Sequence, residues 1–217
     1  SDVLPRRLEP ELLDLLPADD PRVRRCRRDL HLINGLMGNH RWLLRQLARH
    51  RELLREGICE LGAGDGAFLQ RLHRQHPGIR LSGFDRAPRP VGLPRDIEWH
   101  AGDVVERPAD WPGGVLIANL FLHHLENPRI ESLGRRLDGV KLLLIGEGHR
   151  RPEVLRRSRW LNPLLGEVAR HDMAVSLAAG FVAGELAALL GLSAREWDIA
   201  EESTLFGALR LMAVRRG

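Results

Sequence analysis

Short apolar runs alternate with helix-like segments along the chain after residue 57. Runs rich in Ile, Leu and Val predict strands, and turns or amphipathic segments separate them. Strands joined by helical crossovers predict a mostly parallel sheet with helices on both faces. The predicted strands begin at Ile58 and then cover residues 79–84, 97–102, 114–119 and 140–145.

The connections between these strands differ in their expected structure. Apolar residues at helical spacing within 68–72 predict a helix after the first strand, and Pro77-Gly78 ends it. Similar spacing within 130–137 predicts a helix after the fourth strand. Three prolines between residues 85 and 96 leave little room for a regular helix, so a short or broken crossover is expected there.

The C-terminal part combines a helix-prone segment with two strand-like ones. Residues 168–190 predict one long helix. Alternating apolar residues at 197–199 and 205–214 predict a terminal hairpin, with residues 201–204 as its connection.

Residues 1–56 precede the first strand and are expected to form a helical unit beside a sheet domain of residues 57–217. Apolar positions recur at helical spacing, interrupted by Gly35 and Gly38, and predict two or three helices with a hinge. Such helices either close over a site as a lid, pack as a fixed annex, or form the contact of a homodimer.

Composition favours one globular protein. The 217 residues are 43% hydrophobic, which suits a single core. The net charge of +4 and the arginines within 22–28 and 150–159 leave RNA open as an alternative partner. However, Lys141 is the only lysine, and the chain has no tyrosine and five phenylalanines, so it offers few platforms for stacking bases. Nucleic acid is therefore not the expected partner.

Cysteine usage and hydropathy indicate the cellular compartment. The two cysteines, Cys26 and Cys59, imply no disulfide framework. No segment has the pattern of a secretory signal or approaches the ~20 apolar residues of a membrane span. We expect a soluble, cytoplasmic protein.

The segment Glu60-Leu61-Gly62-Ala63-Gly64-Asp65-Gly66, which follows the first strand, carries the most specific chemical signal. Its alternating glycines allow a sharp turn from strand to helix, leave room for a ligand against the main chain, and expose amide donors. Asp85 and Asp103 follow the next two strands, and carboxylates there can accept from ribose hydroxyls and an exocyclic amine. The pattern predicts a site for a nucleoside cofactor.

This order of motifs resembles that of the class I S-adenosylmethionine-dependent methyltransferases, from Glu60 onward. The resemblance implies a doubly wound α/β fold, with a mostly parallel seven-stranded sheet whose last strand is antiparallel. It also implies S-adenosylmethionine as cofactor and S-adenosylhomocysteine as product. The implied cofactor-binding residues are Glu60, Gly62, Ala63, Gly64, Gly66, Asp85, Arg86, Gly102, Asp103, Val104 and Asn119.

The same glycines also fit the G-x-G-x-x-A pattern of dinucleotide-binding oxidoreductases, with Asp85 at the expected distance. Against that alternative, Glu60 precedes the first glycine, Gly66 adds a third alternating glycine, and Asp103 supplies a second acid. These additions favour the methyltransferase.

Methyl transfer from a sulfonium requires alignment and removal of the acceptor's proton, for which histidine is well suited. The candidates are His124 after strand four, His149 after strand five, and His171 with Asp172 in the expected long helix. The chain lacks the Asn/Asp-Pro-Pro-aromatic segment typical of methyltransferases that act on planar amino groups. An oxygen or carbon acceptor is therefore favoured.

Residues 29–34 and 170–181 are similar to bacterial small-molecule methyltransferases associated with type III polyketide synthases. That resemblance implies O-methylation of a phenolic or pyrone-like metabolite, with residues 170–172 near the acceptor, although Asp172 could instead cap a helix. No metal site is expected, because the cysteines lie far apart and His123-His124 are adjacent rather than at i, i+4.

Overall fold

The computed structural model describes residues 5–17, 20–106 and 111–217, apart from the side chain of Asp14. Its centre is one sheet of seven strands. The strands are β1 (Ile58–Leu61), β2 (Leu81–Asp85), β3 (Glu98–Ala101), β4 (Val115–Asn119), β5 (Leu142–Gly148), β6 (Trp197–Ser203) and β7 (Ala208–Arg215).

The strand order across the sheet is β3-β2-β1-β4-β5-β7-β6. The pairs among β1 to β5 are parallel, whereas β7 runs antiparallel to both β5 and β6. The predicted doubly wound sheet with an antiparallel last strand is therefore confirmed. In the observed register, Leu61 lies beside Phe84 and Ala118, so the loops that follow β1, β2 and β4 share one edge.

The sheet's two apolar layers explain why its central strands read as continuous apolar runs. On β4, Leu116 and Ala118 belong to the cluster on one face, while Val115 and Ile117 belong to the cluster on the other. All four side chains are buried, because helices cover both faces.

Eight helices flank the sheet within the described ranges. They are α1 (Leu12–Leu15), α2 (Pro21–Met37), α3 (Asn39–Arg49), α4 (Ala67–Gln75), α5 (Asn127–Gly134), α6 (Pro152–Ser158), α7 (Glu167–Ala179) and α8 (Glu185–Leu189). Single 3₁₀ segments cover Arg51–Glu56, Leu122–His124 and Arg159–Leu164. The helix predicted after the first strand is confirmed as α4, and no helix forms between Asp85 and Asp96, as expected.

The predicted single helix over 168–190 is wrong. Helix α7 ends at Ala179, and Phe181 then donates its N–H to the carbonyl of Gly148 at 2.9 Å. A Cβ on Gly180 would lie 2.3 Å from that carbonyl oxygen, so glycine permits the close approach that breaks the helix. The chain then continues into α8.

The predicted connection of the terminal hairpin is displaced. Residues 201–203 belong to β6, which is the outer strand of the sheet, and the turn covers residues 204–207. Gly207 has a φ of 81°, the left-handed conformation that glycine adopts without strain.

The N-terminal helices pack directly on the sheet domain. Gly38, at φ 70°, separates α2 from α3, whereas Gly35 lies inside α2. Helix α2 shares an apolar cluster with α7, and α3 shares one with the sheet. The boundary at residue 57 stays a prediction. None of the described helices is long and apolar enough to cross a membrane.

Candidate active site

The glycine loop after β1 has the backbone geometry that its sequence predicts. Gly62, Gly64 and Gly66 have φ values of 66°, 56° and 71°, in the left-handed region that strains other residues. A Cβ on Gly62 would also lie 2.4 Å from the ring of Phe121. By contrast, the space beside Gly64 is open, so a ligand can approach its main chain.

Asp85 connects this loop to the end of β2. Its Oδ2 accepts the N–H of Gly64 and its Oδ1 accepts the N–H of Ala87, each at 2.8 Å. Each oxygen has a second lone pair for a ligand hydroxyl.

Asp103 is held by two arginines. Arg86 donates to its carboxylate at 2.9 Å, and Arg129 donates to both oxygens at 2.5 and 2.6 Å. Partial burial acts to raise the pKa of Asp103, but the hydrogen bonds from Arg86 and Arg129 lower it to about 2. A ligand amine at this carboxylate would therefore compete with an arginine.

Gly102 and Val104, also expected at this end of the site, support its structure. Gly102 donates its N–H to the carbonyl of Asp85 at 2.8 Å, while the side chain of Val104 packs in the core.

A cavity of about 530 Å³ lies beside the glycine loop. Two of its buried acceptors, Glu60 Oε2 and Asn119 Oδ1, have no hydrogen-bond partner among the described residues. Burial, together with Asp65 and Asp85, raises the pKa of Glu60 well above its usual range. Such acceptors fit a ligand that brings a cationic donor. Cationic and polar side chains of the rim include His31, His40, Arg41, Arg71 and Arg74.

A second cavity, of about 620 Å³, adjoins the first. Its walls come from α2, α6, α7 and the turn at 204–207, and they are mostly apolar. Asn34 and Leu120 line both cavities. Leu120 has a φ of 52°, and its N–H donates to the carbonyl of Gly146 at 2.7 Å. This strained residue stands between the two cavities.

The polar part of the second cavity is centred on His123. Its Nδ1 lies 2.7 Å from Oε2 of Glu147, which is fully buried. The other carboxylate oxygen of Glu147 accepts the N–H groups of Phe121 and Leu122 at 2.9 and 2.6 Å. Glu147 therefore fixes both the imidazole and the loop that carries it.

His123 also faces Glu11, which comes from the N-terminal segment. Its Nε2 lies 3.7 Å from Oε1 of Glu11, too far for a hydrogen bond. Burial by itself lowers the pKa of His123, but the carboxylates of Glu147 and Glu11 raise it to about 9. Glu11 also accepts the hydroxyl of Ser176, and although burial works against ionisation, its pKa is lowered.

We call residues 5–13 the N-terminal strap. The Arg6 guanidinium donates to the carbonyls of His123 and Leu125 at 3.1 and 2.7 Å, and it stacks over Phe181 at 4.5 Å. On the other side of Glu11, Asp172 accepts the N–H groups of Leu12 and Leu13 at 2.7 and 3.0 Å. The strap is therefore held on both sides of the residue that it presents to the cavity.

The four residues expected to act in catalysis are dispersed. His124 lines the second cavity, with its ring centroid 4.1 Å from that of His123. His149 is buried away from the cavity wall, and burial lowers its pKa. His171 is exposed on α7 and contacts Asp172, whose carboxylate caps α1 rather than reaching the cavity.

Sequence reasoning overlooked the residues that form the polar wall. His123 lies beside the candidate His124, and Glu147 lies two positions before His149, but no spacing joins them to Glu11 or Arg6.

Glu11, His123 and His124 also bring potential metal-ligand atoms within 4.8 Å of one another, close enough to hold a divalent cation after modest movement. The sequence spacing predicts no such site.

Comparisons with known proteins place this geometry in context. No family model matches the chain, and no curated protein matches its sequence. Solved structures do match. The plantazolicin methyltransferase BpumL in complex with S-adenosylhomocysteine shares 13% identity at a TM-score of 0.71, with 92% of each chain covered. The fold is that of a methyltransferase.

Two further structures support this assignment. Magnesium protoporphyrin IX methyltransferase from Synechocystis PCC 6803 gives a TM-score of 0.59 at 17% identity, covering 92% of this chain and 91% of that one. Human N-acetylserotonin methyltransferase gives 0.60 at 18% identity, covering 94% and 61%. At these identities, the comparisons establish the methyltransferase fold alone.

Proposed function

We propose that this chain is an S-adenosylmethionine-dependent methyltransferase that methylates a hydroxyl of an apolar, phenolic or polyketide-type small molecule. One observation carries the proposal: the cavity beside the glycine loop meets the apolar cavity at Asn34 and Leu120, and His123 lies in the wall of the second. A methyl donor in one cavity and an acceptor in the other would meet at this junction.

The residues of the first cavity fit S-adenosylmethionine. Glu60 and Asn119 offer the buried acceptors that its ammonium group requires, and Asp85 retains lone pairs for the ribose hydroxyls. At the adenine end, the side chain of Arg86 is 75% exposed and can leave Asp103 to a ligand amine. When bound, the cofactor supplies a methyl group on a good leaving group.

His123 is the proton acceptor in this proposal. Because Glu147 accepts the proton on Nδ1, the neutral imidazole presents Nε2 as its basic atom. The raised pKa, about 9, approaches the ~10 of a phenolic hydroxyl, so proton transfer from such an acceptor is nearly balanced. Glu11 stabilises the imidazolium that results.

The alternative functions have less support. The strand order with an antiparallel β7 differs from the 3-2-1-4-5-6 order of dinucleotide-binding domains. Several arginines proposed for RNA pair with acids instead, as Arg22 does with Asp20 and Arg150 with Glu185. The named acceptors of the similar structures, such as N-acetylserotonin and magnesium protoporphyrin IX, also favour a small molecule.

The proposal is tested in two steps. Calorimetry should show binding of S-adenosylmethionine and S-adenosylhomocysteine, and no binding of NADH. Labelled methyl groups should then transfer to a panel of alkyl phenols and hydroxypyrones, with matched anilines and bulk RNA as controls. Binding of NADH alone, or transfer to RNA but to no phenol, would refute the proposal.

A further inference from the structure

Four large apolar side chains are exposed around the entrance of the apolar cavity. Trp160 and Leu164 are 86% and 65% exposed, and Leu205 and Phe206 are 79% and 66% exposed. Trp160, Leu205 and Phe206 also line the cavity, and Leu164 ends the 3₁₀ segment that contains Trp160. We call these four residues the mouth patch. It accounts for half of the large apolar side chains that are exposed in the described ranges.

The two segments that carry the mouth patch are neighbours. One is the 3₁₀ segment directly after α6, and the other is the turn between β6 and β7. A Cβ on Gly207 would lie 2.6 Å from Cγ1 of Val154, so the turn packs directly against α6. Three of the four side chains of the patch therefore border one apolar cavity.

Positive charge lies along one side of the mouth patch. Residues 151–164 contain four arginines and one acid, Glu153. Arg156 lies 3.8 Å from Glu153 within its own helix, while Arg157 and Arg159 form no ion pair with any described residue. Arg157 also lines the cavity, so the charges lie beside the apolar entrance.

We propose that the mouth patch and its arginines dock on an anionic lipid membrane, and that apolar acceptors enter the cavity directly from the lipid. Exposed Trp, Phe and Leu side chains beside arginines are the chemistry that binds the interface of a bilayer, with the apolar groups among the acyl chains and the cations among the headgroups. Docking itself does not depend on the proposed reaction, whereas delivery of the acceptor does.

Charge argues against a second copy of the chain as the occupant. In a two-fold contact the same patch faces itself, so Arg157 and Arg159 would approach the same arginines of the partner. Within residues 151–164, only Glu153 offers a negative charge to offset this repulsion. An anionic surface offsets it directly.

Vesicle sedimentation tests the docking. The full chain should bind vesicles of phosphatidylcholine mixed with phosphatidylglycerol, bind pure phosphatidylcholine far less, and dissociate in high salt. Replacing Arg156, Arg157 and Arg159 by Gln should weaken binding by roughly 10²-fold, at about fivefold for each charge. The matched control replaces Arg49, Arg51 and Arg55 by Gln, which removes the same charge from an exposed surface before β1.

Tryptophan emission reports the orientation. Trp160 is the most exposed of the five tryptophans, so anionic vesicles should shift the emission to the blue in the wild type and not in Trp160→Phe. Three results would each overturn the proposal: equal binding by both triple-arginine variants, an unchanged emission, or a dimer that buries Trp160 without lipid. Vesicle binding without any methyl transfer would refute the proposed reaction and leave the proposal of membrane docking unaffected.

Discussion

The two cavities of the site are built in opposite ways. The cofactor cavity is formed around loops at one edge of the sheet, and its defining residues are glycines with positive φ and acids at or near the ends of strands. The polar wall of the acceptor cavity draws Glu11 from the strap, His123 from the loop after β4, and Glu147 from β5. The glycine loop of the first is a property of local backbone, although α2 and α3 complete its wall. The polar wall of the second exists only after the N-terminal strap has docked.

This difference predicts how each half responds to change. Substitutions in the cofactor cavity should alter cofactor affinity and leave the polar wall intact. Substitutions in the polar wall or in its anchors should alter turnover and its pH dependence, with cofactor affinity near that of the wild type.

The largest effect is expected from His123→Gln. The amide can still donate to Glu147, which keeps that buried carboxylate paired, but it cannot accept a proton. Methyl transfer to a phenolic panel should fall by about 10²- to 10⁴-fold at unchanged affinity for S-adenosylmethionine. His124→Gln, in the adjacent residue of the same cavity, is the matched control and should cost at most a few-fold.

The reverse ranking would restore His124 as the base. Full activity in both variants would place the proton acceptor elsewhere. Treatment with a chelator tests whether the polar wall binds a metal ion instead, because Glu11, His123 and His124 are close enough to bind one. Activity that is lost on chelation and recovered with zinc would replace the proton-transfer role of His123 by metal binding.

Asp85→Ala should have the next largest effect, on cofactor affinity. It removes the acceptor for the ribose hydroxyls and two loop hydrogen bonds, which corresponds to about 1.5–3 kcal/mol, or roughly 10- to 150-fold in Kd. Asp96→Ala removes an exposed acid from the same crossover and should leave Kd unchanged. Calorimetry decides the result, and equal Kd values for the two variants would contradict the cofactor site.

Arg6→Gln should lower kcat/KM about tenfold, because it releases the strap and Glu11 with it. Arg7→Gln changes the exposed neighbour and serves as the control. With Glu11 displaced, the pKa that controls kcat/KM should also fall in the Arg6 variant, which a merely destabilised protein would not show. An unchanged pH profile would make Arg6 a packing residue only.

The smallest effect is a shift in pH dependence. Because the pKa of His123 is about 9, kcat/KM should rise with pH until that value and then level off. Glu147→Gln should move this limb to lower pH by removing one of the two carboxylates that raise the pKa. If kcat/KM of the wild type levelled off near pH ~6.5 instead, His123 would not be the group that controls the profile.

The free energy of unfolding should change in the opposite direction to kcat/KM as the pH rises towards 9. The folded pKa of His123 exceeds its ordinary value of ~6.5, so the charged form stabilises the native state. This contribution is complete below pH ~6.5 and is lost as the pH rises through about 9. Denaturation at several pH values should show the loss in the wild type and little of it in His123→Gln.

Sequence patterns were sufficient for the sheet and the cofactor edge. Strands buried on both faces require continuous apolar runs, and a sharp strand-to-helix turn requires glycine, so both features appear directly in the residue order. Local patterns were not sufficient at Gly180, where the close approach to Gly148 breaks the helix predicted over 168–190. The terminal turn lies later than the sequence pattern predicts, because half-buried Glu201 and exposed Glu202 suit an edge strand as well as a loop.

By itself the sequence determined the α/β architecture, the glycine loop and the positions of the acids at the ends of β2 and β3, because these depend on neighbours within a few residues. The tertiary structure alone decided that His123 rather than His124 pairs with Glu147, that Asp172 caps α1, and that Arg6 and Glu11 reach the loop after β4. Such pairings form between side chains far apart in the chain, and their hydrogen bonds become favourable only when folding buries both partners, so no periodicity records them.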